Sequence, residues 1–169
     1  MQSKMQSKKQ QIEITEQIQS KIDAARRCIL PLLCDYVAST KSDWNYITPL
    51  DFYEKYYERL ENHENNRDFI LVDLRKQEEY KKMHIKGAIN IFWLDLLKDE
   101  NLKRLPKNKT IFLICYVGHT SSQAMVLLKL LGYKVVSIKF GYGISPVIGV
   151  PVAGWTNYKF PVVGCACKA

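Results

Sequence analysis

Apolar side chains recur along the first quarter of the chain at three- and four-residue spacing: Ile14, Ile18, Ile22, Ala25, Ile29, Leu32 and Leu33. That period predicts an amphipathic helix over residues 12–39, bent or restarted at Pro31, whose ring blocks a helical hydrogen bond. Its apolar stripe needs a surface to lean on, either the domain that follows or a second copy of the chain. Residues 1–9 are polar and Lys-rich and should fray, and Thr40-Lys41-Ser42-Asp43 reads as a linker. The pattern then changes. Tyr46-Ile47 is a short β-like pair; Thr48 can cap a helix and Pro49 suits its first position, after which Leu50, Tyr53, Tyr57 and Leu60 repeat at helical spacing. Residues 69–72 and 110–115 are continuous apolar runs of strand formers, as expected of strands buried on both faces.

Residues 88–92 and 135–138 read as two further strands. Helical segments are expected at 77–82, 94–105 and 121–131, the last with Ala124, Leu127, Leu128 and Leu131 on one face and a stop at Gly132. Strands alternating with helices predict an α/β fold: a central, mostly parallel sheet with helices on both faces, plus an N-terminal helical extension. In such sheets ligands sit beyond the carboxyl ends of the strands, and Cys115 lies at one of those ends. The Gly-, Pro- and Val-rich stretch 140–163 is expected to wrap the sheet edge as a long ordered loop.

A chain of 169 residues, 47% of them hydrophobic, can bury one good core and is too short for two full domains. Twenty-five Lys and Arg against 17 Asp and Glu give a formal charge of +8, which favours encounters with anions. The lysines are scattered, and neither an RNA-binding aromatic motif nor zinc-finger spacing accompanies them, so nucleic acid is not expected as a partner. Five cysteines, Cys28, Cys34, Cys115, Cys165 and Cys167, do not make the dense framework of a small secreted domain and fit a reducing compartment. No apolar leader pattern is present at the start, and the apolar stretch 28–34 is far too short to span a bilayer. We therefore expect a cytoplasmic protein without a membrane partner. Cys28 and Cys34 are expected simply to pack; Cys165-Ala-Cys167 is either an incidental pair or a site for a soft metal or a strained disulfide.

The candidate chemistry sits in "CYVGHTS", residues 115–121. A loop between a strand end and a helix start can turn several backbone N–H groups inward, and the helix dipole adds partial positive charge. A thiol there has its thiolate stabilised and its reactivity raised. Gly118 allows the tight path, while Thr120 and Ser121 can cap the helix and offer hydroxyls to an anion. From the residues alone, a reactive thiolate at Cys115 and a buried inert cysteine both stay open.

Residues 46–163 resemble a single-domain rhodanese, a sulfurtransferase. The motifs "VDLR" (72–75), "EEY" (78–80), "HIKGAINI" (84–91), "CYVGHTS" (115–121) and "LLGY" (130–133) match that family in order and separation. The resemblance implies a rhodanese-like domain over 46–163, with an N-terminal helical extension and linker at 1–45 and a flexible tail at 164–169. It also implies that Cys115 takes a sulfane sulfur from a small sulfur-containing anion, thiosulfate or a persulfide, becomes a persulfide, and passes that sulfur to cyanide or a thiol, which a sulfur-carrier protein could supply. Residues Tyr116, Val117, Gly118, His119, Thr120 and Ser121 would hold the anion through their amides, with no cofactor and no metal. Asp73, Arg75 and His84 match family positions that support the site structurally. His119 lies inside the loop, where an imidazole could favour an anion when protonated. A homodimer through the N-terminal helix is the oligomer this organisation allows.

Two departures from the family pattern matter. Met83 and Lys86 alter the turn around His84, and Tyr116 and His119 stand where many thiosulfate-using members carry loop cations, which points away from thiosulfate as the preferred donor. A phosphatase of the Cys-x5-Arg type needs an arginine to clamp its oxyanion at the position Ser121 occupies, which sets that activity aside. The standing alternative is a non-catalytic, rhodanese-like binding or redox-sensing module.

Overall fold

In the computed structural model of the chain, residues 2–41, 44–62, 67–144 and 153–164 are described, with side chains given from residue 13 onward in the first helix. The chain divides into two units, Met1–Asp43 and Trp44–Ala169. The first is a single helix, α1 (Gln2–Ser39), which carries Pro31 in its interior. Ile14, Ile18, Ile22, Ile29, Leu32 and Leu33 are all exposed along it. Cys28 and Cys34, expected to pack, are exposed too, because among the described residues of this unit there is no second layer to bury them. The helix starts at Gln2, where the polar composition had suggested fraying.

The second unit holds a five-stranded sheet in the order β1-β5-β4-β2-β3. The strands are β1 (Tyr46–Ile47), β2 (Phe69–Asp73), β3 (Ile89–Asn90), β4 (Thr110–Ile114) and β5 (Lys134–Ile138). All four pairings are parallel, with Leu71 opposite Phe112 and Phe112 opposite Val136 in the centre. Successive residues of the central strands alternate between two apolar layers. Val72, Ile111, Leu113 and Val135 face one layer with Ala124, Met125 and Leu128 of α6 (His119–Leu130). Phe69, Leu71, Phe112 and Ile114 face the other, with Phe52, Leu60 and Trp155. Covering both faces is what turns β2 and β4 into near-continuous hydrophobic runs.

Short helices close the connections. The α2 segment (Pro49–Phe52) is capped by Thr48, whose hydroxyl accepts from Asp51 N, and runs through a π-helical turn (Tyr53–Tyr57) into α3 (Glu58–Glu61). After β2 comes α4 (Gln77–Lys82). The helix expected over 94–105 is only a 3-10 turn (Trp93–Asp95) and the one-turn α5 (Asp99–Leu102). Its apolar positions Leu96 and Leu105 are nonetheless buried, so irregular backbone satisfies the pattern. A 3-10 turn (Trp155–Tyr158) breaks the expected loop and sinks Trp155 fully into the aromatic layer. Residues 145–152 and the Cys165–Cys167 pair lie outside the described residues, as do Ser42 and Asp43 of the expected linker. No helix among the described residues is long and apolar enough to cross a membrane.

Candidate active site

Cys115 follows the last residue of β4 at the carboxyl end of the sheet and is 2% exposed. The chain leaves the strand, turns through Gly118 at φ 92 and enters α6 at His119. Glycine suits that corner because a φ of 92 strains any L side chain, and a Cβ there would also press on the backbone nitrogen of Phe140 at 3.0 Å. The turn folds the start of the helix back over the cysteine. Gly118 N–H lies 3.2 Å and Ser121 N–H 3.3 Å from Cys115 Sγ, both donating to it. The Ser121 hydroxyl is 3.4 Å from the same sulfur. Two amides and the amino end of a twelve-residue helix thus converge on one buried sulfur, an arrangement that favours negative charge there.

The other loop residues are spread around this point. Ser121 is fully buried, Tyr116, Val117 and Thr120 are half-buried, and His119 is exposed at the tip. Capping differs from expectation. Gly118 is the N-cap and offers no side chain, and Ser121 instead donates to the Gly118 carbonyl from inside the helix, as does Ser122. The Ser121 oxygen accepts no capping amide, and its acceptor side faces the sulfur. Tyr116 carries its phenol ionisation above the ordinary range, chiefly through burial and then through Glu79, against the pull of Arg75. A cleft of about 450 Å³ beside the strand ends is lined by Lys76, Gln77, Glu78, Phe92 and Asp95.

A polar cluster lies beneath the loop. Asp73 and Arg75 are 0% and 1% exposed, and their side chains are joined by contacts of 2.7–3.2 Å through Nε and Nη2. Arg75 Nη2 also donates to the Met83 carbonyl at 2.7 Å, and the guanidinium lies 3.6 Å from the centroid of the Tyr142 ring. Burial works against the guanidinium charge, but the Asp73 carboxylate and the phenols of Tyr142 and Tyr116 outweigh it, so Arg75 holds its proton more firmly than usual. Tyr142 donates to Asp73 Oδ2 at 3.0 Å and accepts from Ile85 N–H at 3.1 Å. Its own N–H donates to the Cys115 carbonyl at 2.9 Å, and Gly143 N–H to that of Tyr116 at 3.0 Å. His84 stands apart from the sulfur. Its Nδ1 meets the Tyr80 carbonyl at 2.8 Å, its ring stacks on Tyr80, and its backbone exchanges two hydrogen bonds with Val163.

Two residues of this region escaped the sequence. Tyr142 sits between Gly141 and Gly143 just past β5, inside the stretch expected only as a long loop at the sheet edge. Ser137 is a fully buried hydroxyl in the otherwise apolar "VVSI" run, and its Oγ lies 2.8 Å from Ser121 Oγ. Phe140, half exposed, takes φ 58 against the active loop, a conformation that non-glycine residues adopt mainly where surroundings impose it.

Comparison with known proteins gives a family model for the rhodanese-like domain that matches residues 54–143. Thiosulfate sulfurtransferase PspE of Escherichia coli is 38% identical over 63 residues, 37% of this chain and 60% of that protein. A putative sulfur carrier protein of Bacillus subtilis, YrkF, is 33% identical over 73 residues, 43% of this chain and 38% of the relative. The adenylyltransferase and sulfurtransferase uba4 of Ogataea parapolymorpha is 39% identical over 64 residues, 38% of this chain. The matched region spans only 16% of that yeast protein and 14% of a tRNA sulfurtransferase from Pyrobaculum aerophilum. Among solved structures, a rhodanese-related protein of Thermoplasma volcanium aligns with a TM-score of 0.54 at 24% identity, covering 70% of this chain and 96% of its own. The BH2092 protein of Bacillus halodurans gives 0.55 at 22% identity, with 77% and 85% covered; both likenesses concern the fold.

Proposed function

Because the chain belongs to the rhodanese-like domain family, we propose that it is a sulfurtransferase in which Cys115 carries a sulfane sulfur from a donor to an acceptor. The observation that supports this most directly is the convergence of the Gly118 and Ser121 amides on the buried Cys115 sulfur. Stabilised as a thiolate, Cys115 attacks the outer sulfur of the donor. With thiosulfate, the sulfur–sulfur bond breaks, sulfite leaves with the electron pair, and an anionic Cys115 persulfide remains. An acceptor thiolate or cyanide then attacks the outer sulfur, and Cys115 leaves as the thiolate, ready for another cycle. The remaining loop amides, those of Tyr116, Val117, His119 and Thr120, receive the outer sulfur as its charge develops.

The site favours a donor less dependent on cations than thiosulfate. The loop from Tyr116 to Ser121 contains no Lys or Arg, and Arg75 is already bound to Asp73 and the Met83 carbonyl. Phe140 and Ile144, both more than a third exposed, add apolar surface next to the loop. A persulfide or polysulfide donor fits this better than a small dianion. On the acceptor side, the relatives named as a sulfur carrier and as tRNA sulfurtransferases make a thiol on a sulfur-carrier protein the leading reading. We place the catalytic unit at residues 46–163 and its setting in the cytoplasm.

The test is intact-protein mass spectrometry after brief polysulfide or thiosulfate treatment, comparing wild type with Cys115→Ser. Expected is a gain of one sulfur, about 32 Da, removed by cyanide, absent from the variant and faster with polysulfide. No adduct from either donor would leave the chain as a binding or redox-sensing module; an adduct retained in Cys115→Ser would move the chemistry to another cysteine.

A further inference from the structure

The hydrogen bonds of the Ser121 hydroxyl continue past the active loop. Ser137, on β5, points its hydroxyl at Ser121 Oγ from 2.8 Å, and both residues are fully buried. In the sheet Ser137 lies opposite Leu113 of β4 and Tyr46 of β1, and its strand neighbour two residues back, Val135, packs in the apolar layer under α6. A hydroxyl in such a layer is unfavourable unless hydrogen-bonded, and valine would suit the strand better. The bond that offsets this burial goes to the side chain touching the nucleophile.

We propose that Ser137 is a positioning residue for Cys115, acting through Ser121 to supply the sulfur with a hydrogen bond in its thiolate state. The inference deepens the sulfurtransferase reading and concerns the same site. Each hydroxyl has one proton to give. While Cys115 is a thiol, its S–H can donate to Ser121 Oγ, and Ser121 donates to the Gly118 carbonyl at 3.1 Å. When the thiol loses its proton to solvent, the Ser121 O–H turns from that carbonyl to Sγ. The Gly118 carbonyl keeps the Ser122 N–H at 3.1 Å and the Ser122 hydroxyl at 2.7 Å, so the turn strands no acceptor. Ser137 donates to Ser121 Oγ in both states, which fixes the oxygen and polarises its proton toward the anion. Once the outer sulfur is attached, charge moves off Sγ and Ser121 can return to the carbonyl.

Charged and titratable groups on the surrounding elements are Asp73 and Arg75 at the end of β2, Glu78, Glu79, Tyr80, Lys81 and Lys82 on α4, Tyr116 and His119 in the loop, Lys129 on α6, Tyr46 on β1, Lys134 on β5, and Lys139 and Tyr142 beyond it. All are common to wild type and Ser137 variants, so a difference between them reports the hydroxyl.

The experiment compares Ser137→Ala, Ser137→Val and Ser137→Thr with wild type, the last two having the same shape and differing in the hydroxyl. Alkylation of the full chain by iodoacetamide is followed against pH on the tryptic peptide 110–129, which contains Cys115 and no other cysteine. This readout needs no sulfur donor, so it decides the role of Ser137 even if persulfide formation is not observed. Expected is an upward shift of the alkylation profile by about half a unit to one unit in the Ala and Val variants, a roughly three- to tenfold slower reaction on its rising limb. Ser137→Thr should follow wild type. With a polysulfide donor, kcat should fall in the same two variants while KM changes little. Superimposable profiles for Ala and wild type, with unchanged Tm, would overturn the proposal. Equal shifts in Val and Thr would overturn it too, by assigning the effect to packing.

Discussion

Replacing Arg75 by methionine tests whether the cluster under the active loop is the dry, closed network that the geometry describes. The variant keeps an unbranched apolar side chain in a buried position and removes a guanidinium bonded to both Asp73 oxygens and to the Met83 carbonyl. Asp73 keeps two donors, the residue-75 backbone N–H at 3.0 Å and the Tyr142 hydroxyl at 3.0 Å, but its charge is left without a counter-ion at zero exposure. Removing one partner of a buried ion pair costs about 3–5 kcal/mol, and the two surviving donors place this case at about 3 kcal/mol, toward the lower end. With a urea m-value of roughly 2 kcal/mol per M, the unfolding midpoint should fall by about 1.5 M. Tryptophan fluorescence is a suitable probe because Trp44, Trp93 and Trp155 all lie in the second unit and Trp155 is fully buried. The double variant Asp73→Asn/Arg75→Met should recover at least half of the loss, since the orphaned charge is gone. A single-variant loss below about 1 kcal/mol at unchanged m would show that water reaches Asp73 and would refute the dry-cluster argument.

Two further outcomes follow from the same geometry. A Cβ at Gly141, where φ is 51, would lie 2.1 Å from the Cys115 carbonyl oxygen, so Gly141→Ala should displace the loop, lower stability by about 1–3 kcal/mol and slow Cys115 persulfide formation more than tenfold, as read by mass spectrometry. Tyr142 has its ionisation raised well above the ordinary 10.0 by burial first and then by Asp73. The unfolded chain therefore releases this proton first, and the contribution of Tyr142 to stability is complete below about pH 10 and declines above it. Tyr142→Phe should lower stability at pH 7 by about 1–3 kcal/mol, because Asp73 loses a donor and Ile85 N–H its acceptor, yet lose less on going to pH 11. Parallel urea titrations for the two proteins across that range would contradict the assignment.

Strand identity, the parallel sheet and the position of Cys115 were legible because each rests on a local rule. Runs such as "FILV" and "TIFLI" have one stable home, a strand covered on both faces, and a cysteine next to such a strand end, followed by glycine and a helical pattern, can hardly avoid a helix amino terminus. The helix expected over 94–105 was misjudged for the complementary reason. Burial of Leu96 and Leu105 satisfies the periodic pattern, but periodicity reports which side chains are covered and not the backbone path that covers them.

What the tertiary structure alone decided are contacts between residues far apart in the chain. Tyr142 reaches Asp73 across 69 positions and Ser137 reaches Ser121 across 16. Neither pair has a spacing that a helix or strand period could reveal. Ser137 and Ser121 meet because β5 lies beside β4 while α6 folds back over both, and Tyr142 meets Asp73 because β2 flanks β4 on its other side. Sequence patterns specify which face of each element is apolar; closing the sheet determines which buried polar groups become partners, since each must find a hydrogen bond wherever the packed layers leave it.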